Sequence, residues 1–190
     1  MEQAIRPNQF PNLPNQHLAK VYRLQTWAVL SKTMSNFQIE LHIKQDHVTA
    51  SISDLETLLT KAAMATLNQQ QVTGGAVLTI MVTGDAELQQ LNHDYRQEDK
   101  PTDVLSFEDG SIWPDGNRYL GDIAISIETA ERQANQAGHK LLDEMALLTI
   151  HGVLHLLGHD HAEPDEKATM WQAQDKVLTT LGISMSLDHL

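Results

Sequence analysis

Residues 141–157 limit what this chain can fold into more than any other segment does. The segment is mostly apolar, has a helical pattern and carries two histidines. His151 and His155 are four residues apart, so on a helix both imidazole rings project from one face. Side chains at this spacing lie within about 5–6 Å of one another at Cβ. Gly158 can then end the helix in a left-handed backbone conformation. The chain is predicted to turn back there and to bring His161 to the same point.

Three imidazoles that meet at one point predict a site for one divalent metal ion, and we expect zinc. The chain has no cysteine, so its metal ligands must be His, Asp or Glu. Three neutral imidazoles with a fourth position left open are typical of catalytic zinc. A structural zinc closed by His159 or Asp160 is one alternative. Histidines without any metal are another, which the specific spacing argues against.

The residue after the first histidine separates this pattern from a protease pattern. Metzincin proteases share the spacing of His151, Gly158 and His161, but they carry a glutamate as general base after the first histidine. This chain has Gly152 at that position. Glycine cannot accept a proton, so the pattern argues against peptidase chemistry of that type.

The remaining patterns predict an α+β fold with about four strands and five or six helices. Alternating apolar residues indicate a half-buried strand at 37–43, and the apolar, β-branched run 76–82 is typical of a central strand. Two further strands are predicted at 103–107 and 122–126. The predicted helices cover residues 53–67, 85–95, 126–137, 141–157 and 164–181.

The first 34 residues differ from the rest. Pro7, Pro11 and Pro14 break regular structure, so about the first fifteen residues are predicted to be loop or disordered. Residues 17–34 could form a short helix. We therefore divide the chain into a partly disordered N-terminal extension, residues 1–34, and a single domain, residues 35–190.

The charge balance limits the classes of partner. The formal net charge is −12, from 25 acidic and 13 basic residues. This balance disfavours a broad nucleic-acid-binding surface, although it allows a small basic cleft. No apolar run approaches the roughly 18–20 residues of a membrane span, and the N-terminus lacks the apolar core of a secretory signal. We expect no membrane partner and a cytoplasmic protein.

A second segment, YRQEDKPTDVLSF at residues 95–107, contains Arg96. An arginine beside a metal cleft can bind a phosphate through two donors, which lysine cannot do. A solvated arginine paired with Glu98 or Asp99 is the alternative, and spacing alone favours that alternative.

Together with LGDIAIS at residues 120–126 and HGVLHLLGHDH at 151–161, this string resembles the YbeY family of bacterial metal-dependent endoribonucleases. The resemblance covers about residues 37–182. It implies a mixed four-stranded sheet packed with helices, and one Zn²⁺ per chain. The implied zinc ligands are His151, His155 and His161, and the implied functional arginine is Arg96.

The same resemblance implies a substrate and partners. The substrate would be single-stranded RNA, notably the region near the 3′ end of 16S-type ribosomal RNA, and the protein would act with the ribosome or its small-subunit proteins in maturation and quality control. The family commonly has an aromatic residue where this chain has His159. Two consequences of this difference stay open: a changed pH response, or competition of His159 for the metal. Nothing is implied for residues 1–34.

These features predict metal-assisted hydrolysis of RNA phosphodiester bonds, with Arg96 stabilising charge on the non-bridging oxygens. Asp122 and Asp160 are both candidates for the general base. Asp160 is also a candidate for orienting a ligand imidazole. The RNA 2′-hydroxyl is an alternative nucleophile.

RNA attraction is expected only at the cleft and at a few basic residues such as Lys100, Arg118 and Arg132. Two other functions stay open. One is another metal hydrolase, such as an amidase. The other is a non-catalytic ribosome-assembly factor with a structural zinc.

Overall fold

The computed structural model describes residues 4–6, 27–34, 36–44, 46 and 51–185. Within these residues the strands are β1 (Trp27–Met34), β2 (Phe37–Lys44), β3 (Ala76–Thr83), β4 (Val104–Glu108) and β5 (Arg118–Ser126). The helices are α1 (Ile52–Gln69), α2 (Asp85–Arg96), α3 (Ile127–Ala137), α4 (Leu141–Leu156) and α5 (Pro164–Thr180).

The strands form one mixed sheet in the order β1-β2-β3-β5-β4. Strands β2, β3 and β5 are parallel, whereas β1 and β4 pair antiparallel at the two edges. Every residue of β3 is buried, as expected for the central strand predicted at 76–82. The predicted α+β class and mixed sheet are confirmed, and the four predicted strands are joined by β1.

Helices cover both faces of the sheet. Helices α1 and α4 pack on one face, and α5 packs against both of them from outside. Helix α2 packs on the opposite face. Strand alternation explains the division, because Ile123 and Ile125 of β5 point to the α4 side while Ala124 points to the α2 side. None of the described helices is both long and apolar enough to cross a membrane.

Helix α4 approaches β5 closely. A Cβ atom on Gly152 would lie 2.8 Å from Cγ2 of Ile123, and one on Gly121 would lie 3.1 Å from Cδ2 of Leu156. Helix α4 therefore runs antiparallel to β5. Its last turn lies over Gly121, whose partner in β4 is Glu108. The end of α4 is thus placed where β5 begins and β4 ends.

Strand β1 corrects one prediction. The short helix predicted over residues 17–34 is wrong at 27–34, which pair with β2 from Trp27 opposite Lys44 to Met34 opposite Phe37. Two residues separate the paired ends, so this is a tight hairpin whose backbone hydrogen bonds override local helix preference. Residues 17–26 lie outside the described residues.

Of the first fifteen residues, predicted to be loop or disordered, three are described. Ile5 forms a parallel bridge with Phe107 on the outer edge of β4. Ala4 and Ile5 are buried there, at 8% and 7% exposure. The division of the chain at residue 35 stays a prediction.

Candidate metal centre

The end of α4 has the local structure that the sequence predicts. His151 and His155 are fully buried on the helix. Gly158 has a φ of 89°, the left-handed conformation that reverses the chain. The backbone N–H of His159 donates to the carbonyl of Leu154 and secures the turn. The reversed chain then delivers His161.

The structure brings the three predicted histidines together. The ring centroids of His151 and His155 lie 4.5 Å apart, and His161 lies 5.3 Å from the first and 5.1 Å from the second. One nitrogen from each ring can be chosen so that all three atoms lie within 4.8 Å of one another. A single ion could contact all three.

The hydrogen bonds of two rings define which nitrogens face this point. Nδ1 of His151 lies 2.8 Å from Oε1 of Gln174, and Nδ1 of His155 lies 2.9 Å from the backbone oxygen of His159. Because an oxygen acceptor needs an N–H donor, each neutral ring carries its proton on Nδ1 and a lone pair on Nε2.

The Nε2 lone pairs of His151 and His155 test whether a cation fits between the two rings. The Nε2 atoms of His151 and His155 lie 3.0 Å apart, and no proton is left to join them. Two facing lone pairs repel unless a cation lies between them. A tetrahedral zinc ion with bonds of about 2.0–2.1 Å holds two nitrogens about 3.4 Å apart. The observed separation is close to that value.

His161 gives a second, independent test. Its Nε2 is buried and has no hydrogen-bond partner among the described residues. A buried polar atom without a partner costs about 1–3 kcal/mol, which a bound metal ion would relieve. The ring of Trp171 lies 5.7 Å from that of His161 and borders the site. The donor set therefore fits a divalent metal.

Burial keeps the three imidazoles neutral. Desolvation, and then the neighbouring His155, hold the pKa of His151 well below its usual value. Desolvation and the charge of His161 lower the pKa of His155 to about 4. The pKa of His161 is also lowered, again mainly by burial. Neutral imidazoles are the form that binds metal.

The two residues predicted as possible fourth ligands are engaged elsewhere. Nε2 of His159 lies 3.0 Å from Oε1 of Gln70, just after α1. Oδ1 of Asp160 accepts the backbone N–H of His161 at 2.8 Å, and Oδ2 accepts from Arg6 at 3.3 Å. Within the described residues, the cluster of three histidines thus leaves a fourth coordination position open.

Asp122, one candidate general base, lies on the other face of the sheet. Its neighbour Ile123 points to α4, so Asp122 points to the α2 side. The carboxylate is buried and accepts a 2.7 Å hydrogen bond from the hydroxyl of Tyr119. The structure does not bring Asp122 to the histidines.

Arg96 is the last residue of α2, on that opposite face. The ring of the preceding Tyr95 lies 4.8 Å from that of Phe107, and Phe107 pairs with Asp122. The last turns of α2 and α4 therefore lie at the same level of β5. Arg96 is half-buried, and its charge adds to the Lys100 hydrogen bond that lowers the pKa of Glu98.

The basic residues predicted near the cleft have varied surroundings. Lys100 pairs with Glu98 at 2.9 Å, and Arg132 pairs with Asp85 at 2.7 Å. Arg118 begins β5 and is exposed. Two of the three are thus already paired with carboxylates.

Gln174, which orients the ring of His151, was not predicted from the sequence. Gln174 is fully buried on α5 between Met170, Ala173, Val177 and Leu178. The sequence does contain a signal that could have indicated its role. Gln174 is a polar residue within an apolar stripe at helical spacing. A buried amide needs a partner, and the partner here is a candidate metal ligand.

Comparisons with known proteins point to one family. The family model described as Endoribonuclease YbeY matches residues 40–182. A Chloroflexus aurantiacus protein named Endoribonuclease YbeY is 46% identical over 133 residues, covering 66% of this chain and 86% of that protein. A Bacillus licheniformis protein of the same name is 39% identical, covering 71% and 88%.

A solved structure shares the fold. The solution structure of TM1509 from Thermotoga maritima has a TM-score of 0.50 and 26% identity, covering 76% of this chain and 89% of that one. The match of the family model spans most of the sheet and all three clustered histidines. This chain therefore belongs to the Endoribonuclease YbeY family.

Proposed function

We propose that this protein is a zinc-dependent endoribonuclease that cleaves single-stranded RNA. Its relatives carry the name endoribonuclease, which supports hydrolysis of RNA phosphodiester bonds. The observation that supports metal dependence most strongly is that the Nε2 atoms of His151 and His155 face each other at 3.0 Å with their lone pairs. Beside them, Nε2 of His161 has no hydrogen-bond partner in the part of the chain that the structure describes.

In this proposal the three histidines hold the metal through Nε2. Gln174 and the carbonyl of His159 keep the protons on Nδ1, so the metal-binding nitrogens stay available. When bound, zinc supplies Lewis-acid chemistry that lowers the pKa of water and stabilises charge on phosphoryl oxygens. Arg96 is proposed as the residue that grips the scissile phosphate through two donors.

The open fourth position favours an enzyme over a structural zinc site. Structural zinc is usually closed by four protein ligands. Here the side chains of His159 and Asp160 point to Gln70 and to Arg6. This supports catalysis over the alternative of an assembly factor.

We further propose the biological setting that the family resemblance implies. The protein would act in the cytoplasm on the 3′ end of 16S-type ribosomal RNA, with the ribosome or its small-subunit proteins, in maturation and quality control. The domain that carries this activity would be residues 35–190, preceded by the extension 1–34.

The test compares metal-free and zinc-reloaded protein on a single-stranded RNA that spans the 3′ end of precursor small-subunit ribosomal RNA. The same RNA annealed to its complement is the control. We expect cleavage only by the reloaded protein and only of the single strand. Undiminished cleavage after metal removal would contradict metal dependence. No cleavage by zinc-loaded protein would favour the assembly-factor alternative.

A further inference from the structure

The N-terminal segment Ala4 to Arg6 lies outside the residues matched by the family, 40–182, yet it docks beside the metal centre. The backbone N–H of Ile5 donates to the carbonyl of Ser106 at 2.7 Å, and Glu108 donates to the carbonyl of Ile5 at 3.0 Å. The side chain of Ile5 joins the apolar cluster under α2. Backbone and side chain both place the next residue, Arg6.

Arg6 connects two elements that meet at the site. Its Nε lies 3.5 Å from Oε1 of Glu108 at the end of β4, and its Nη2 lies 3.3 Å from Oδ2 of Asp160. The other oxygen of Asp160 accepts the backbone N–H of His161 at 2.8 Å. A continuous chain of contacts therefore runs from the N-terminal segment to the third candidate ligand.

We propose that Arg6 is a positioning residue of the metal centre, acting through Asp160 on His161. His151 and His155 are held by a regular helix, but His161 follows a glycine turn and has no such support. A carboxylate fixed at both oxygens restricts the backbone that carries the imidazole. This inference rests on the proposed metal centre and not on the proposed RNA substrate.

The chemistry of arginine suits this role. The planar guanidinium can reach Glu108 and Asp160 with different nitrogens, whereas lysine offers a single point charge. The Arg6 side chain is 48% exposed, so each ion pair alone contributes little. We therefore expect a modest effect on zinc affinity, exerted through the position of His161.

The test measures zinc affinity of the full-length chain by competition with a chromophoric chelator. We expect Arg6→Ala to weaken zinc binding by about three- to tenfold, at or below the lower end of the 10–100-fold typical of direct partners of metal ligands. Arg6→Lys should recover only part of the loss. Arg132→Ala is the matched control, because Arg132 is 52% exposed and pairs with Asp85 at the start of α2. It should bind zinc like the wild type.

A double-mutant cycle tests the route through Asp160. In an Asp160→Ala background, Arg6→Ala should cause no further loss of zinc affinity. Wild-type affinity in Arg6→Ala, or an equal loss in both backgrounds, would overturn the proposal. If the wild type binds zinc but does not cleave RNA, only the proposed function is contradicted. If the wild type does not bind zinc, both the proposed function and the role of Arg6 are contradicted.

Discussion

At the scale of single residues, the orientation of the clustered histidines depends on partners outside α4. The spacing of His151 and His155 places both rings on one helix face, and Gly158 allows the return of His161. The direction of each lone pair depends on Gln174 and the carbonyl of His159. These partners come from α5 and a turn, and periodicity within α4 holds no information about them.

Loss of one ring should abolish zinc binding. We expect His155→Ala to lose about one zinc per chain, because two remaining imidazoles hold a metal far less well. The half-buried His161 gives a second variant, His161→Ala, with less cost to the core. Elemental analysis of folded protein measures the content. His159→Ala is the control and should keep its zinc, since its ring points to Gln70. Undiminished zinc in His155→Ala would contradict the assignment.

Arg96 should affect the chemistry and not the metal. If it stabilises charge on the phosphate, Arg96→Ala should lower the single-turnover cleavage rate by about 10²–10³ with zinc content and thermal stability unchanged. Arg96→Lys should recover little of the rate. Lys176→Ala, which removes an exposed cation on α5, is the control and should cleave like the wild type. Wild-type cleavage by Arg96→Ala would mean that Arg96 is an ordinary surface charge.

At the scale of elements, the close approach of α4 to β5 explains why residue 152 is a glycine. From the sequence, Gly152 was interpreted only as the lack of a general base. A Cβ atom at Gly152 would lie 2.8 Å from Cγ2 and 3.0 Å from Cδ1 of Ile123. A glutamate there would require the side chain of Ile123 or the helix itself to move. The absence of a side chain at this position therefore serves packing as well.

Whether Gly152→Ala raises or lowers the free energy of unfolding tests this packing. Alanine normally stabilises a helix interior by about 1 kcal/mol relative to glycine. Overpacking a core costs about 1–3 kcal/mol. We expect a net destabilisation by about 1 kcal/mol in urea unfolding. In an Ile123→Ala background the space exists, so the same substitution should stabilise. Stabilisation by Gly152→Ala alone would contradict the close approach.

Asp85 joins the start of α2 to the start of α3. Its carboxylate accepts hydrogen bonds from Ser126, Thr129 and Arg132 at 2.5–2.7 Å. Burial raises the pKa of Asp85, but the three donors outweigh burial and lower it below its usual value. The ionised carboxylate therefore stabilises the fold above the unfolded pKa, and this contribution is lost as pH falls through the lower folded pKa.

Asp85→Asn should accordingly lower the free energy of unfolding by about 1 kcal/mol at pH 7. The difference from the wild type should stay constant down to about pH 5 and shrink below about pH 4. Urea unfolding across this range measures it. Asp175→Asn, at an exposed position on α5, should show neither effect. A difference that grows as pH falls would contradict the predicted direction.

Strand β1 shows where sequence patterns were insufficient among the elements. Strands with strong alternation or long apolar runs, such as β2 and β3, were predicted close to their observed bounds. Residues 27–34 become a strand only because the edge of β2 is available beside them. Such pairing depends on tertiary structure, which outweighs weak local preference.

At the scale of the whole molecule, the sequence predicted the class of fold and the helix end at which the ligands meet. It did not predict that the N-terminal segment would return to β4. The contact needs Ile5 to pair with Phe107, which lies about a hundred positions further along the chain. No periodic pattern marks a contact so distant in sequence. The net charge of −12 is consistent with the proposal that RNA contacts involve only a small part of the surface.

We propose that one metal ion, held by His151, His155 and His161, enables RNA cleavage. The most direct measurement is a titration of metal-free protein with zinc, in which single-turnover cleavage of a single-stranded RNA is followed. We expect the rate to rise in proportion to added zinc and to reach its plateau at about one equivalent per chain. A rate that does not depend on zinc, or a plateau at two equivalents, would contradict it.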